Sequence, residues 1–158
     1  MPDSTLVSTI MTSPVVTVPP ELTVAEAAGV LVDQHIGALP VVDTAGKIVG
    51  MLRDEDLLVS EARLHVPTVI EFLGAELVWP PSVHRYEDEL RKAAAATVAL
   101  LMTTEVDTVR STDTVETVAT LMHDKGLSHV PVVDDGVLVG MLARADLVRF
   151  VASTDSLQ

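Results

Sequence analysis

The sequence has no cysteine. Disulfides, thiolate zinc sites and cysteine nucleophiles are thereby excluded together. Aromatic residues are nearly absent: Phe72, Trp79, Tyr86 and Phe150 are the whole set. With 48 % of the chain apolar, the core must be aliphatic, and a chain of that content is not expected to be disordered. Basic residues are scarce, 10 Lys and Arg against 23 Asp and Glu, for a net charge of −13. Phosphate backbones and anionic lipid surfaces both demand basic protein surface, so neither nucleic acid nor a membrane is expected as a partner. The acidity favours solubility. It also means that a phosphorylated ligand needs a local basic pocket set against the global field. No uncharged apolar run approaches the ~20 residues that span a bilayer. Residues 1–11 show no basic segment followed by an apolar stretch, so no secretory leader is expected and the protein is read as cytoplasmic.

Motifs for catalysis and metal binding are missing as well. There is no GxxxxGK(S/T) loop, no GxGxxG and no EF-hand pattern. His35, His65, His84, His123 and His129 show no HExxH or similar spacing. No catalytic residue, no metal ligand set and no resident cofactor is therefore assigned, and the protein is read as a non-enzyme.

What is present is a duplication. Met11-Thr12 returns as Met102-Thr103, an offset of 102 − 11 = 91. Thr17-Val18, Thr23-Val24 and Pro40-Val41-Val42-Asp43 return at the same offset. Over residues 11–43, 13 of 33 positions are identical to their counterparts. One residue is then lost, and Val49-Gly50-Met51-Leu52 returns as Val139-Gly140-Met141-Leu142 at an offset of 90. A register held over that length marks an internal repeat.

Each copy reads β-α-β-β-α. Val15–Val18 is a short β-branched run ended by Pro19-Pro20. Thr23 with Glu26 forms a capping box, and Val24, Ala27, Ala28 and Leu31 give one apolar helix face. In the second copy Asp113 with Glu116 offers the cap, and Val115, Val118, Ala119 and Met122 the face. Strands follow at Ala38–Val42 and Val130–Val133, then turns with Gly46 or Gly136 supplying positive φ. The next strands are Ile48–Leu52 and Val137–Leu142, and second helices begin near Asp54 and Arg144. The fold class is α/β in the broad sense, α+β more narrowly.

A segment of about 40 residues between the copies is too long for a plain loop. Pro67 and Gly74 bracket a short helix, and a longer one runs from about Tyr86 to Leu101. It is read as a helical insertion packed on the repeats, with Phe72, Leu73, Leu77 and Trp79 docking. The boundaries are 6–59 for the first copy, 60–96 for the insertion and 97–151 for the second copy.

The repeats resemble CBS domains. The motif is Pro-Val-Val-Asp, a turn, then Gly-hydrophobic-hydrophobic-(Thr or Ser)-x-x-(Asp or Asn). Here it reads Pro40-Val41-Val42-Asp43 … Gly50-Met51-Leu52-Arg53-Asp54-Glu55-Asp56, and Pro131-Val132-Val133-Asp134 … Gly140-Met141-Leu142-Ala143-Arg144-Ala145-Asp146. The Met-Thr opening and the Thr-Val before each first helix also fit. The resemblance implies two repeats packed through their sheets as one stand-alone module, commonly paired into a homodimer. It implies clefts between the repeats that bind an adenosine-containing ligand: AMP, ADP, ATP or S-adenosylmethionine.

The resemblance makes Asp56 and Asp146 ribose partners. Two ionised carboxylate oxygens suit a cis-diol; the alternative is that each Asp caps its second helix or decorates its first turn. The family's Thr or Ser is replaced by Arg53 and Ala143. Arg53 and Arg144 are then candidate phosphate contacts, with solvated surface charge as the other reading. His129 occupies a position where some members face phosphate with a basic residue; otherwise it is a strand residue at a sheet edge. The second copy, with His129, Arg144 and Asp146, is the better phosphate site. Thr17 and Thr108 lie where the family's adenine pocket begins, or are buried strand threonines. The function implied is a regulatory sensor module whose output passes through a separately encoded effector protein. The alternative is a dimerising protein-interaction module with no small-molecule ligand.

Overall fold

The computed structural model of the chain describes residues 5–57 and 96–155. Elements form where local chemistry and apolar spacing agree. Helix α1 is Val7–Ile10, α2 Val24–Gln34, and strands β1 and β2 are Ala38–Val42 and Ile48–Arg53. Then follow α3 (Val98–Leu101), α4 (Val115–Lys125), β3 (His129–Asp134), β4 (Val137–Ala143) and α5 (Arg144–Asp155). Residues 54–57 are helical too. The class is α+β. The expected insertion, with its short helix and the docking of Phe72 and Trp79, lies outside the described residues; its longer helix does not run unbroken to Leu101, because Thr97 is extended at ψ 153° and Val98–Leu101 is a separate turn.

The helices start and stop as the repeat demands, with one correction. Thr23 accepts from Glu26 N at 3.2 Å and opens α2. The cap of α4 is not Asp113 but Thr114, which accepts from Thr117 N at 3.2 Å. Asp113 instead accepts Arg110 N at 2.8 Å and closes the preceding turn. Duplication carries the reason: Thr114 is the counterpart of Thr23, so the same residue type caps both helices. Val24, Ala27 and Leu31 are buried on α2, and Val115, Val118 and Met122 on α4. Ala119, expected on that face, is exposed. Both helices end in a left-handed residue, His35 at φ 53° and Gly126 at φ 65°. In each, the next N–H returns five residues: Ile36 N to Leu31 O and Leu127 N to Met122 O.

The strands make two antiparallel hairpins, β1–β2 and β3–β4. In the second, His129 lies opposite Ala143 and Pro131 opposite Met141, with a register shift after Val132. Asp135 (φ 50°) and Gly136 (φ 79°) close it, the two-residue turn whose twist suits a hairpin. The expected strand Val15–Val18 shrinks to a single parallel bridge from Val18 to Val41, and Val109 bridges Val132 likewise. Prolines at both ends of the first run withhold the N–H groups a longer ladder needs.

Internal contacts divide the chain into two units: Met1–Val16, Thr44–Ile48 and Glu105–Gln158 form one, Thr17–Asp43 and Val49–Thr104 the other. The opening segment of each sequence copy thus belongs to the unit built by the other copy. In the unit of β3 and β4, Val7 N donates to Asp113 O, and Thr12 exchanges both backbone hydrogen bonds with Met141 at 2.8 and 3.0 Å. In the unit of β1 and β2, Val98 N donates to Leu22 O, and Thr103 exchanges both bonds with Met51 at 2.9 Å each. Because Met141 turns its main-chain groups to Thr12, the residue opposite needs no N–H, and Pro131 is tolerated inside the sheet.

The cores follow suit. Val7 is fully buried with Val109, Val118, Val130, Val132 and Leu142. Val98 is fully buried with Val18, Ala27, Leu39, Val41 and Leu52. Each such valine is worth about 1.5–3 kcal/mol relative to exposure. Met11 lies over Gly140 and Met102 over Gly50, where a Cβ would overlap the methionine sulfur.

Candidate functional site

The seven candidate ligand residues divide cleanly between the units. Thr17, Arg53 and Asp56 fall in one; Thr108, His129, Arg144 and Asp146 fall in the other. In both, the key position is where the last strand of the hairpin turns into a helix. Arg144 N donates to Ser128 O at 2.8 Å, and Asp54 N donates to Gly37 O at 3.0 Å. These matched bonds fix the helix start beside the start of the facing strand.

Asp146 is buried at 8 % exposure, and its Oδ2 accepts Ala143 N at 2.8 Å. Asp56 Oδ2 accepts Arg53 N at 2.9 Å. Each carboxylate therefore reaches back three residues to an otherwise orphaned N–H at the helix entrance. The capping role expected as the alternative is real, and it engages one carboxylate oxygen of each. The other oxygen of Asp146 takes a hydrogen bond from Arg149 Nη2. Arg149 did not figure in the sequence reading. Its i,i+3 spacing from Asp146 on a helix was the available signal.

His129 and Arg144 are brought to the same corner. His129 is half-buried and sits opposite Ala143, with Nδ1 3.0 Å from Ser128 Oγ. It opens a paired strand and is not exposed. Arg144 is exposed, and its guanidinium donates to the carbonyl of Leu127 at 3.0 Å. In the other unit, Arg53 Nη1 lies 3.1 Å from Glu55 Oε1, and Nε lies 3.9 Å from Asp56 Oδ2. That Nε is buried and has no hydrogen-bond partner. Thr17 and Thr108 are exposed, which removes the buried-strand reading for both.

A groove of ≈ 790 Å3 lies elsewhere on the same unit as Asp146. Thr108, Arg110, Ser111, Asp113, Asp134 and Gly136 line it; His129, Arg144 and Asp146 do not. Asp134 accepts Ser111 Oγ at 2.5 Å and Ser111 N at 3.0 Å. The hydroxyl bond first, then the amide bond and Arg110, hold its pKa below the usual carboxylate value. Among the described residues, no group of three or more His, Asp or Glu can hold a metal ion. None of their helices is long and apolar enough to cross a membrane.

Twice in one chain, a hairpin runs into a helix whose first turn is capped by its own aspartate. This defines a duplicated α+β module with a carboxylate at each strand-to-helix junction. The CBS domain model matches residues 7–62 and 96–153, and the chain belongs to the CBS domain family. The chloroplastic CBS domain-containing protein CBSX2 of Arabidopsis thaliana is 31 % identical over 84 % of this chain, which spans 56 % of that relative. The solved structure of CBSX2 in complex with AMP superposes with a TM-score of 0.72 at 27 % identity, covering 96 % of this chain and 98 % of that one. The CBS domain pair of protein MJ0100, in complex with 5′-methylthioadenosine and S-adenosyl-L-methionine, gives 0.73 at 27 % identity, covering 95 % and 98 %.

Proposed function

We propose that this protein is a regulatory sensor that binds an adenosine-containing ligand, of the AMP, ADP, ATP or S-adenosylmethionine class, and has no catalysis of its own. The observation that carries the reading is the repeated aspartate. Asp56 and Asp146 occupy matched junctions, and each is held rigidly by a main-chain N–H at 2.9 or 2.8 Å. A carboxylate oriented through one oxygen is suited to accept the hydroxyls of a ribose. The adenosine compounds held by CBSX2 and by the MJ0100 pair support this ligand class. Of the other candidates, Arg53, His129 and Arg144 would face the ligand's polar groups, and Thr17 and Thr108, being exposed, are free to border the base. A homodimer in the cytoplasm acting on a separately encoded effector completes the reading.

The second reading, an interaction module with no small-molecule ligand, is favoured by one observation. Asp146 already has both oxygens engaged, by Ala143 N and by Arg149. A thermal-shift panel of adenosine, AMP, ADP, ATP and S-adenosylmethionine separates the two, because a ligand bound only to the folded state raises its melting temperature. Asp146→Asn keeps an acceptor for Ala143 N and removes the charge. It is expected to weaken the best ligand about tenfold while leaving the unliganded melting temperature nearly unchanged. A wild-type protein that no compound stabilises sinks the sensor reading in favour of the interaction module.

A further inference from the structure

We infer that Arg53 and Arg149 read the charge of the ligand: each covers the candidate carboxylate of its unit in the free protein and passes to a ligand phosphate on binding, so that both sites prefer a phosphorylated adenosine. This rests on the adenosine reading above and adds the basis of selection.

The two arginines reach equivalent carboxylates from opposite sides. Arg53 stands three residues before Asp56, and Arg149 three residues after Asp146. The counterpart of Arg53 is Ala143 (53 + 90 = 143), and that of Arg149 is Val59 (149 − 90 = 59). Each copy therefore has one guanidinium where the other has none, placed by a different sequence position.

Neither arginine is firmly held. Arg149 is 74 % exposed at its side chain, and exposed ion pairs contribute little to stability. Arg53 is tied through Nη1 to Glu55, whose side chain is 60 % exposed. Its buried Nε lacks a partner and stands 3.9 Å from Asp56 Oδ2, beyond hydrogen-bond reach. A buried unsatisfied donor favours any rearrangement that supplies an acceptor. At Asp146 an uncharged nucleoside would have to displace the Arg149 guanidinium and leave it without an anion, and at Asp56 it would leave the Arg53 Nε unsatisfied. A phosphorylated one takes the aspartate with its diol and offers the guanidinium a bidentate partner in exchange. With a net charge of −13, the chain otherwise repels such a ligand.

Calorimetry on the full chain tests this with adenosine, AMP and inorganic pyrophosphate as titrants. In Arg53→Ala/Arg149→Ala, AMP affinity is expected to fall about tenfold while adenosine affinity is unchanged or rises. Arg53→Lys/Arg149→Lys, which keeps the charge without the fork, should retain part of the preference for AMP and guards against loss through misfolding. Equal weakening of AMP and adenosine, or no change in AMP, overturns the inference while the sensor reading stands. If wild-type protein binds neither adenosine nor AMP, the sensor reading falls, and pyrophosphate decides the arginines' role. Pyrophosphate binding that is lost in the alanine variant sustains them as anion readers. Pyrophosphate binding that is absent or independent of them overturns the inference as well.

Discussion

Replacing Gly50 with alanine probes how the two sequence copies are woven together. A methyl group at Gly50 would overlap Met102 Sδ and meet its Cγ at 2.8 Å and the Thr103 carbonyl oxygen at 3.0 Å. The sulfur can swing aside, but the carbonyl belongs to a backbone bridged to Met51 through two 2.9 Å hydrogen bonds. Overpacking of this kind costs about 1–3 kcal/mol. Alanine returns about 0.4–1 kcal/mol by restricting the unfolded chain, since Gly50 is not at positive φ. The net loss is about 1–2 kcal/mol, a fall in melting temperature of roughly 2–8 °C for a chain of this size. Gly140→Ala should cost less, because its near neighbours are all side-chain atoms of Met11. Urea unfolding of Gly50→Ala, Met102→Ala and the double variant should show a coupling of about 1 kcal/mol or less, with the double variant milder than the sum. The partner for Gly50 is Met102, from the second copy, and not Met11 from its own. Coupling of Gly50 to Met11, or a Gly50→Ala protein as stable as wild type, would refute the exchanged packing.

Three further outcomes follow from other parts of the molecule. His35 ends α2 at φ 53°, where the other copy has Gly126; His35→Gly should stabilise by about 0.5–1 kcal/mol in urea unfolding, as left-handed backbone is costly for a residue with a Cβ. The Ser111 hydroxyl lowers the Asp134 pKa from 3.8. A carboxylate depressed in the folded state gives stability that is present above its unfolded pKa and lost as pH falls through the folded one. Ser111→Ala should thus be less stable than wild type at pH 7 by an amount that shrinks below pH 3.8, read from urea midpoints across pH; a difference independent of pH would exclude the coupling. Exposed Val148 and Val151 on α5 suit a self-association face, and light scattering should give twice 16.8 kDa; monomer throughout the micromolar range would rule out the homodimer.

Much of the secondary structure was legible because it is local. Thr23 and Glu26, the apolar Ala38–Val42, and Gly46 and Gly136 each carry their instruction within a few residues. Duplication strengthened the reading wherever the copies agree. It would also have corrected the cap of α4, since Thr114 matches Thr23 and Asp113 matches Leu22. Asp56 and Asp146 were found through the repeated motif, and their capping bonds follow from a carboxylate at the third helical position. Arg149 was not found, because an ion pair depends on which rotamers the packing leaves open, and the spacing alone marks many surface pairs that form nothing.

The sequence by itself determined that the chain is a duplicated, aliphatic, acidic α+β module, since composition and periodicity are properties of the chain read in order. Tertiary structure alone decided which copy each opening segment completes. Val7 and Val98 are equivalent valines on equivalent short helices, and either hydrophobic socket would suit either one by size and polarity. Burial is not directional. The exchange is recorded in backbone hydrogen bonds, Val7 N to Asp113 O and Val98 N to Leu22 O, which exist only once the chain is folded.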